Sequence, residues 1–544
     1  VPIVLLLALP ARAQEPPTQP PKKTDDPIPD AVPVPDRWRI PFSDYPLNEP
    51  GRLWDPYHQN VLKGDYPILG QDIFMALSAR NDTTAEFRRL PTPSGVSTAR
   101  PNSPDFFGSG DQALVVEQVS GTLELYEGLT SFRPRDWEIR VTGVGNYNYT
   151  EVRENAIVNP DVTHGVRRTD HFQALQEALG EVHLMDVSDS YDFVSFRAGI
   201  QPFVSDFRGF LFSDTNLGAR LFGTLASNRI QWNLAVFDML EKDTNSDLNT
   251  FQKRNEWVGI ANVYVQDFLF PGYTAEASVH VVRDEATTHY DTNDFLVRPA
   301  LLGTVREHRI GATYLGWAGD GHVGTINVSH ALYSVFGQDR FNELAGRQTD
   351  ILAWMAAFEV SQDIDWIRVR ASFFWSSGDA HPGDNRATGF DTILDAPNFA
   401  GGPFSFWNRQ ALRLQGVNLV QRQSLVPDLR SSKTEGQANF VNPGLFLYNL
   451  GMDLDLLPEV KAILNGNFMN FQDTRSLQSF AFQSNIRRNI GAELSLGLLV
   501  RPFLNNNVIA TLGGSAFFPG GGFEDLYDSR RTLFSAFAQL TLLY

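Results

Sequence analysis

The sequence predicts an all-β protein, a transmembrane antiparallel β-barrel of about 18 strands with short periplasmic turns and long external loops. Three observations predict it. From residue 72 to the C-terminus, apolar and polar side chains alternate in segment after segment, the period-two mark of strands with two unlike faces. The links between segments are short after every even-numbered strand and usually long after the odd-numbered ones. No apolar run reaches the roughly 18 residues that a membrane-spanning helix needs. In hydrocarbon every backbone N–H and C=O must be paired within the protein, and a closed barrel does this without an edge.

Taken in order, the chain begins with an apolar stretch, Pro2-Ile-Val-Leu-Leu-Leu-Ala-Leu9, followed by Ala11-Arg12-Ala13. An apolar core before an A-x-A pattern reads as a secretory signal peptide over 1–13, although a charged n-region is missing. Residues 14–36 are rich in Pro, Asp and Lys, have little to bury and are expected to be extended. Residues 37–71 carry Trp38, Phe42, Tyr45, Trp54, Tyr57 and Tyr66 among prolines, and are expected to pack on something larger. Together 14–71 read as a Pro-rich periplasmic arm or a partial plug.

The barrel is assigned to 72–544. Its expected strands are 72–89, 112–128, 136–152, 171–187, 192–206, 216–226, 229–241, 256–269 and 272–286, then 307–318, 322–337, 350–363, 366–378, 443–458, 459–473, 488–502, 507–518 and 531–544. In the thirteenth, Ile367, Val369, Ala371, Phe373 and Trp375 share one face and Arg368, Arg370 and Ser372 the other. In the ninth, Tyr273, Ala275, Ala277, Val279 and Val281 oppose Thr274, Glu276, Ser278 and His280. An even count leaves both termini in the periplasm. The last strand ends on Tyr544, and a terminal aromatic resembles the signal by which barrel-assembly machinery recognises outer-membrane proteins. The expected location is therefore the bacterial outer membrane, with its lipids as neighbours.

Composition narrows the function. The chain has no cysteine, which excludes disulfides, thiolate metal sites and a thiol nucleophile. With 45 Lys and Arg against 63 Asp and Glu, the net charge is −18, unlike the basic footprint of a nucleic-acid binder. There is no HExxH, GxSxG or P-loop, so no enzyme and no cofactor is expected. Asp379, Asp384, Asp391 and Asp395 could offer oxygen ligands to Ca²⁺, but their spacing matches no EF-hand.

A barrel of this size leaves an aqueous channel unless loops fill it. The residues expected to face the lumen are Arg140, Arg197, Arg220, Arg309, Arg368, Arg370 and Lys461, against Glu124, Glu138, Glu177, Glu181, Glu276, Glu359, Asp453, Asp455 and Glu493. Seven bases against nine acids imply no strong preference for anions. Arg197, Arg220, Arg368 and Arg370 either form part of a basic ladder or pair individually with lumenal acids. The longest loop, 379–442, has 64 residues and holds Arg409, Arg413, Arg422 and Arg430 with Phe404, Phe406 and Trp407. It is expected to fold inward as a constriction or lid, with Trp407, Arg409 and Arg413 in it and a short helix over 409–423.

Several stretches resemble the alginate-export family of outer-membrane barrels over most of 110–544. They are Leu175-Gln-Glu-Ala-Leu-Gly-Glu-Val182, Phe196-Arg-Ala-Gly-Ile-Gln-Pro202, Phe207-Arg-Gly-Phe-Leu211, Asn216-Leu-Gly-Ala-Arg220 and Phe374-Trp-Ser-Ser-Gly-Asp379. The resemblance implies eighteen strands. It also implies, for the family's exporter, an electropositive lumen suited to a polyuronate, which the mixed charges here do not match. The expected function is passage or export of small solutes, oligosaccharides or polysaccharides by passive diffusion, with a saccharide or anionic solute as the ligand. The alternative is a plugged or partner-gated barrel docked to a periplasmic machine through 14–71.

Overall fold

The computed structural model describes residues 60–70, 72–89, 108–128, 134–155, 157–159, 161–190, 192–301, 303–409, 434–527 and 530–544. The expected leader, 1–13, and the arm as far as residue 59 lie outside them.

Eighteen long strands form one closed antiparallel sheet. They are β1 (Ile73–Arg89), β2 (Gly108–Glu127), β3 (Trp137–Glu154), β4 (Arg167–Asp186), β5 (Phe193–Val204), β6 (Ser213–Leu225), β7 (Ile230–Lys242), β8 (Asn249–Val265) and β9 (Tyr273–Asp284). The second half is β10 (Ile310–Val323), β11 (Ile326–Asn342), β12 (Arg347–Ile364), β13 (Ile367–Ser376), β14 (Leu445–Leu457), β15 (Val460–Phe471), β16 (Asn489–Val500), β17 (Val508–Pro519) and β18 (Leu533–Leu543). Each strand pairs with its sequence neighbour, and β1 closes the barrel on β18 from Arg80↔Leu543 to Arg88↔Ser535. A seal of this kind leaves no unpaired edge in the bilayer.

Alternation decides which face is which. On β3, Glu138, Thr142, Asn146, Asn148 and Thr150 are buried inside, while Ile139, Val141 and Tyr147 are exposed outside. Outward Leu234, Val279, Leu332, Leu450, Leu494 and Leu512 continue the apolar skin around the barrel. Near the turn ends of β8–β10, Phe268 meets Trp317 edge-on at 5.6 Å and Phe270 stacks on Tyr273 at 5.1 Å, an aromatic girdle. This closed, apolar-skinned barrel is an outer-membrane protein.

The structure corrects two strand ends. β8 begins at Asn249, seven residues before the expected 256, because bulged pairs carry it up β7, as in Leu240↔Lys253 and Lys242↔Asn249. The expected long link 242–255 shrinks accordingly. β10 does not turn at Gly319–Gly321 but runs on to Val323, and the turn falls at Gly324, whose φ is +62°. Gly319 makes room instead of bending the chain: a Cβ there would collide with the Tyr273 hydroxyl and come within 2.6 Å of the His330 ring. Those two side chains share a hydrogen bond of 2.7 Å. Gly319→Leu is therefore expected to break that pair and lower barrel stability by about 1–3 kcal/mol. The heat-modifiable gel shift of the folded barrel checks it, and an unchanged midpoint would rule the steric argument out.

A short strand, Lys63–Leu69, pairs with β1 at Lys63↔Ala76 and Leu69↔Ile73, where β1 runs past the end of β18. Tyr544 exchanges backbone hydrogen bonds with Ala79 at 2.8 and 3.2 Å, and the Leu77 N–H donates to the Leu62 carbonyl at 2.7 Å. The Lys63 ammonium donates to the Leu77 carbonyl at 2.9 Å and lies 3.7 Å from the centre of the Tyr544 ring.

Candidate functional site

Among the described residues, two loops fold into the lumen. The first, 205–212, joins β5 to β6. Its Asp206 carboxylate accepts the N–H groups of Arg208 at 2.8 Å, Gly209 at 2.5 Å, Phe210 at 3.0 Å and Leu211 at 3.3 Å, together with the Tyr333 hydroxyl at 2.8 Å. One carboxylate thus satisfies a whole turn of buried backbone and ties it to the β11 wall. The Ser205 carbonyl accepts from Asn262 and from the Tyr264 hydroxyl, each at 3.0 Å, which fixes the same loop to β8.

The second is part of the long β13–β14 loop. Its residues 394–398 run beside the first loop: Ser213 N–H donates to the Leu394 carbonyl at 2.8 Å, Ala396 N–H to Gly209 at 3.0 Å and Asn398 N–H to Arg208 at 3.0 Å. Arg208 reaches on to Glu359 of β12 at 3.0 Å. The chain then crosses to the other wall. A four-residue helix, Phe406–Arg409, points the N–H groups of Phe406 and Trp407 at the Glu493 carboxylate on β16, at 3.1 and 2.8 Å. Glu493 also takes the Asn467 amide at 2.6 Å. Arg409 ends the crossing with a 2.7 Å bond to Glu86 of β1, its guanidinium 3.6 Å from the centre of the Phe537 ring. Trp407 and Arg409 thus lie in this crossing segment. Arg413, Arg422, Arg430 and the helix expected beyond Arg409 lie outside the described residues.

The wall residues read from the sequence fall into two groups. On β2–β6, Arg140 sits among Glu138 at 2.9 Å, Glu124 at 3.2 Å and Glu177 at 4.0 Å. Arg197 bonds Glu181 through Nε at 2.7 Å. Arg220 donates to Asn233 at 2.8 Å and lies over the Phe222 ring at 4.2 Å. On β12–β15, Arg368 bonds Asp363 at 2.9 Å, Arg370 bonds Asp453 at 3.1 Å and Asn465 at 2.7 Å, and Lys461 lies 3.8 Å from both Asp453 and Asp455. Glu359 also accepts from Ser372, and Glu276 faces the Asn262 amide at 3.4 Å.

Individual pairing therefore replaces the basic ladder: Arg197, Arg368 and Arg370 each have an acidic partner, and Arg220 an amide. Arg309 is not lumenal. By the parity of β10 it faces outward at the loop end, where it bonds Glu285 at 2.6 Å. The four loop aspartates do not gather either. Asp379, Asp384 and Asp391 accept the backbone N–H groups of His381, Arg386 and Asn439, and Asp395 the Thr392 hydroxyl. No group of acids and histidines able to hold a metal occurs among the described residues. Asp206, Glu86 and Arg135, which bonds Glu124 and Glu138 at 3.0 Å, were not legible as site residues. Asp206 sits in a Phe-, Gly- and Asp-containing link that reads as an ordinary loop.

External loops roof the lumen. Arg298 donates to the Glu435 carbonyl at 2.9 Å and pairs with Glu241, Thr244 holds the Glu435 carboxylate at 2.6 Å, and Gln437 reaches the His308 carbonyl at 3.2 Å. His308 lies between Asp339 at 3.7 Å and Glu343 at 3.6 Å. Burial pushes the carboxyls of Asp291 and Asp379 up to about 6 and that of Glu343 up to about 7. A carboxyl raised on folding binds its proton more tightly in the native state, so stability falls as pH rises from the ordinary carboxylate range through those values. The heat-unfolding midpoint is therefore expected to be lower at pH 7.5 than at pH 5; a higher midpoint would contradict the raised roof carboxyls.

No family model and no curated protein matches the chain. The similarity to the alginate-export family rests on the residues quoted above alone. Among solved structures, the chain is similar to a BenF-like porin from Pseudomonas fluorescens Pf-5, at 10% identity over 87% of this chain and 98% of that one, with a TM-score of 0.48. It is similar to Pseudomonas aeruginosa OccK9 (OpdG), at 9% identity over 87% and 99%, with a TM-score of 0.48. Acinetobacter baumannii OccAB1 shows 9% identity over 86% and 96%, with a TM-score of 0.47.

Proposed function

We propose that this protein is an outer-membrane channel that passes small polar solutes by diffusion, narrowed by the loops 205–212 and 394–409. The observation that carries the reading is the anchoring of both loops to the wall by side-chain hydrogen bonds, at Asp206–Tyr333 and at Glu493 with the Phe406 and Trp407 amides. A constriction held this way is part of the barrel and leaves the remaining lumen to water. Saccharides are a narrower version of this reading, supported by the uncharged polar side chains that stay only half-buried on the inner wall of β2, Gln118, Ser120 and Thr122. Polyuronate export has less support, because Arg140, Arg197, Arg368 and Arg370 each bring a carboxylate with them.

The test is conductance of the refolded protein in a planar bilayer, with reversal potential in a KCl gradient and added neutral or uronate oligosaccharides. A steady current blocked by a solute class supports the channel and names that class. A folded barrel with no current counts against it. Arg140→Ala leaves Glu124, Glu138 and Glu177 with less positive charge, and is expected to move the reversal potential a few millivolts toward the cation's equilibrium value. An unchanged potential would place Arg140 off the ion path.

One observation favours the second reading, a partner-gated barrel docked through 14–71. The strand Lys63–Leu69 is fixed to the turn end of β1, so the arm is tethered at the end where a periplasmic partner would meet it. Deleting 14–59 and losing partner capture while keeping current would support that role.

A further inference from the structure

The two in-folded loops do not fill the lumen evenly. Beneath them, at mid-height on β8–β11, inward Asn262, Glu276, Tyr314 and Tyr333 are buried and His280 is 0% exposed, whereas nearer the turn end inward Asp320, Asp363 and Arg368 keep 47%, 51% and 45% of their side-chain surface. On the β15–β16 side, Asn467 and Glu493 are covered in the same way. The opposite wall differs. Inward Ser78 and Arg80 on β1 are exposed, and Gln118, Ser120 and Thr122 on β2 are half-buried. The side chain of Arg80 keeps 52% of its surface, that of Arg140 25% and that of Glu177 20%. Away from the rims of a closed barrel, as at Gln118, Ser120, Thr122, Arg140 and Glu177, an inward side chain is exposed only to water in the lumen.

We propose that solutes cross this barrel off its centre, along the wall of β18, β1, β2, β3 and β4, and that Arg80, Asp82, Arg140 and Glu177 form the surface that sorts them. The proposal rests on the channel reading above and deepens it. Arg80 holds Asp82 through Nη2 at 3.0 Å, and Asp82 also accepts the Thr541 hydroxyl at 2.6 Å and the Gln539 amide at 3.1 Å. Arg140 lies among Glu124, Glu138 and Glu177. Both arginines are therefore held in place on a wall that presents both signs of charge. Such a wall admits neutral and dipolar solutes, while a polyanion meets carboxylates beside every arginine.

The absence of cysteine makes the test direct, since each introduced thiol is unique. Ser120→Cys and Gln118→Cys place it on the proposed path; Ser278→Cys and Ser495→Cys place it on the sealed wall. Reconstituted protein is treated with a charged, membrane-impermeant methanethiosulfonate, and both mass shift and bilayer current are read. The gel shift confirms that each variant is folded, and two variants per wall guard against a loss of folding. The expected result is complete labelling at 118 and 120 with loss of at least half the current, and neither labelling nor loss at 278 and 495. Current in the channel with labelling confined to 278 and 495 overturns the path while the channel stands. Labelling at 118 and 120 without current in any variant overturns the channel reading itself.

Discussion

Glu493→Ala is expected to raise single-channel conductance severalfold and make the open current noisier. The carboxylate is the acceptor for the Phe406 and Trp407 amides and for the Asn467 side chain, all buried. Removing it leaves three donors without that acceptor, at about 1–3 kcal/mol for each group left unsatisfied. The crossing segment would then be held on this wall chiefly by Arg409 on Glu86 and by the stacking of Phe406 on Phe517 at 5.2 Å. Glu493→Gln retains one acceptor oxygen but sets an NH₂ group against donors, so it is expected to fall between the two. Single-channel recording checks the order. Equal currents in all three proteins would mean that the Phe406–Arg409 helix does not limit flow.

Asp206→Ala is the second large effect. Four backbone amides and the Tyr333 hydroxyl lose one shared acceptor inside the barrel. Were all of them left unpaired, the cost would be several kcal/mol at about 1–3 kcal/mol each; lumenal water recovers part of it. The loop 205–212 then loses its tie to β11, and with it the ladder to 394–398. The expected outcome is a lower heat-unfolding midpoint and, in a Ser278→Cys background, a thiol that becomes open to the impermeant reagent. Retention of both the midpoint and the protection would show that the ladder alone holds the loop. Asp206→Asn keeps one acceptor oxygen and is expected to be milder.

The staves were legible because membrane burial writes a simple code. Every strand must show hydrocarbon one face and water the other, so side chains alternate over its whole length and eighteen strands can be counted. The code fails where another force competes. Gly319 and Gly321 read as a turn, but Gly319 is small because Tyr273 and His330 occupy its space. Asn249–Asn255 is polar enough to read as loop, yet it extends β8 above the bilayer, where neither face needs to be apolar. The site was only partly legible. Parity placed Arg140, Arg370, Glu276 and Glu493 inside, because facing is a local property. It could not pair Arg409 with Glu86 or Asp206 with Tyr333, which lie 323 and 127 residues apart and meet only once the barrel has closed. Arg309 shows the limit of parity at a strand end, where a rim position faces out beside Glu285.

The strand Lys63–Leu69 bears on how the cylinder finds its register. Slippage by two residues would preserve every inside and outside assignment along β18, so alternation alone does not tell the final strand where to stop. A local hairpin with β1 needs no distant partner and can form while the rest of the sheet is still incomplete. Once formed, it occupies the β1 edge up to Ala76 and leaves the stretch from Arg80 to Arg88 as the open template. Tyr544 then comes to rest against Ala79, its ring over Lys63. The hairpin segment and the final strand thus share one edge of β1 end to end, so a shift of β18 toward the turn end would bring the two into collision.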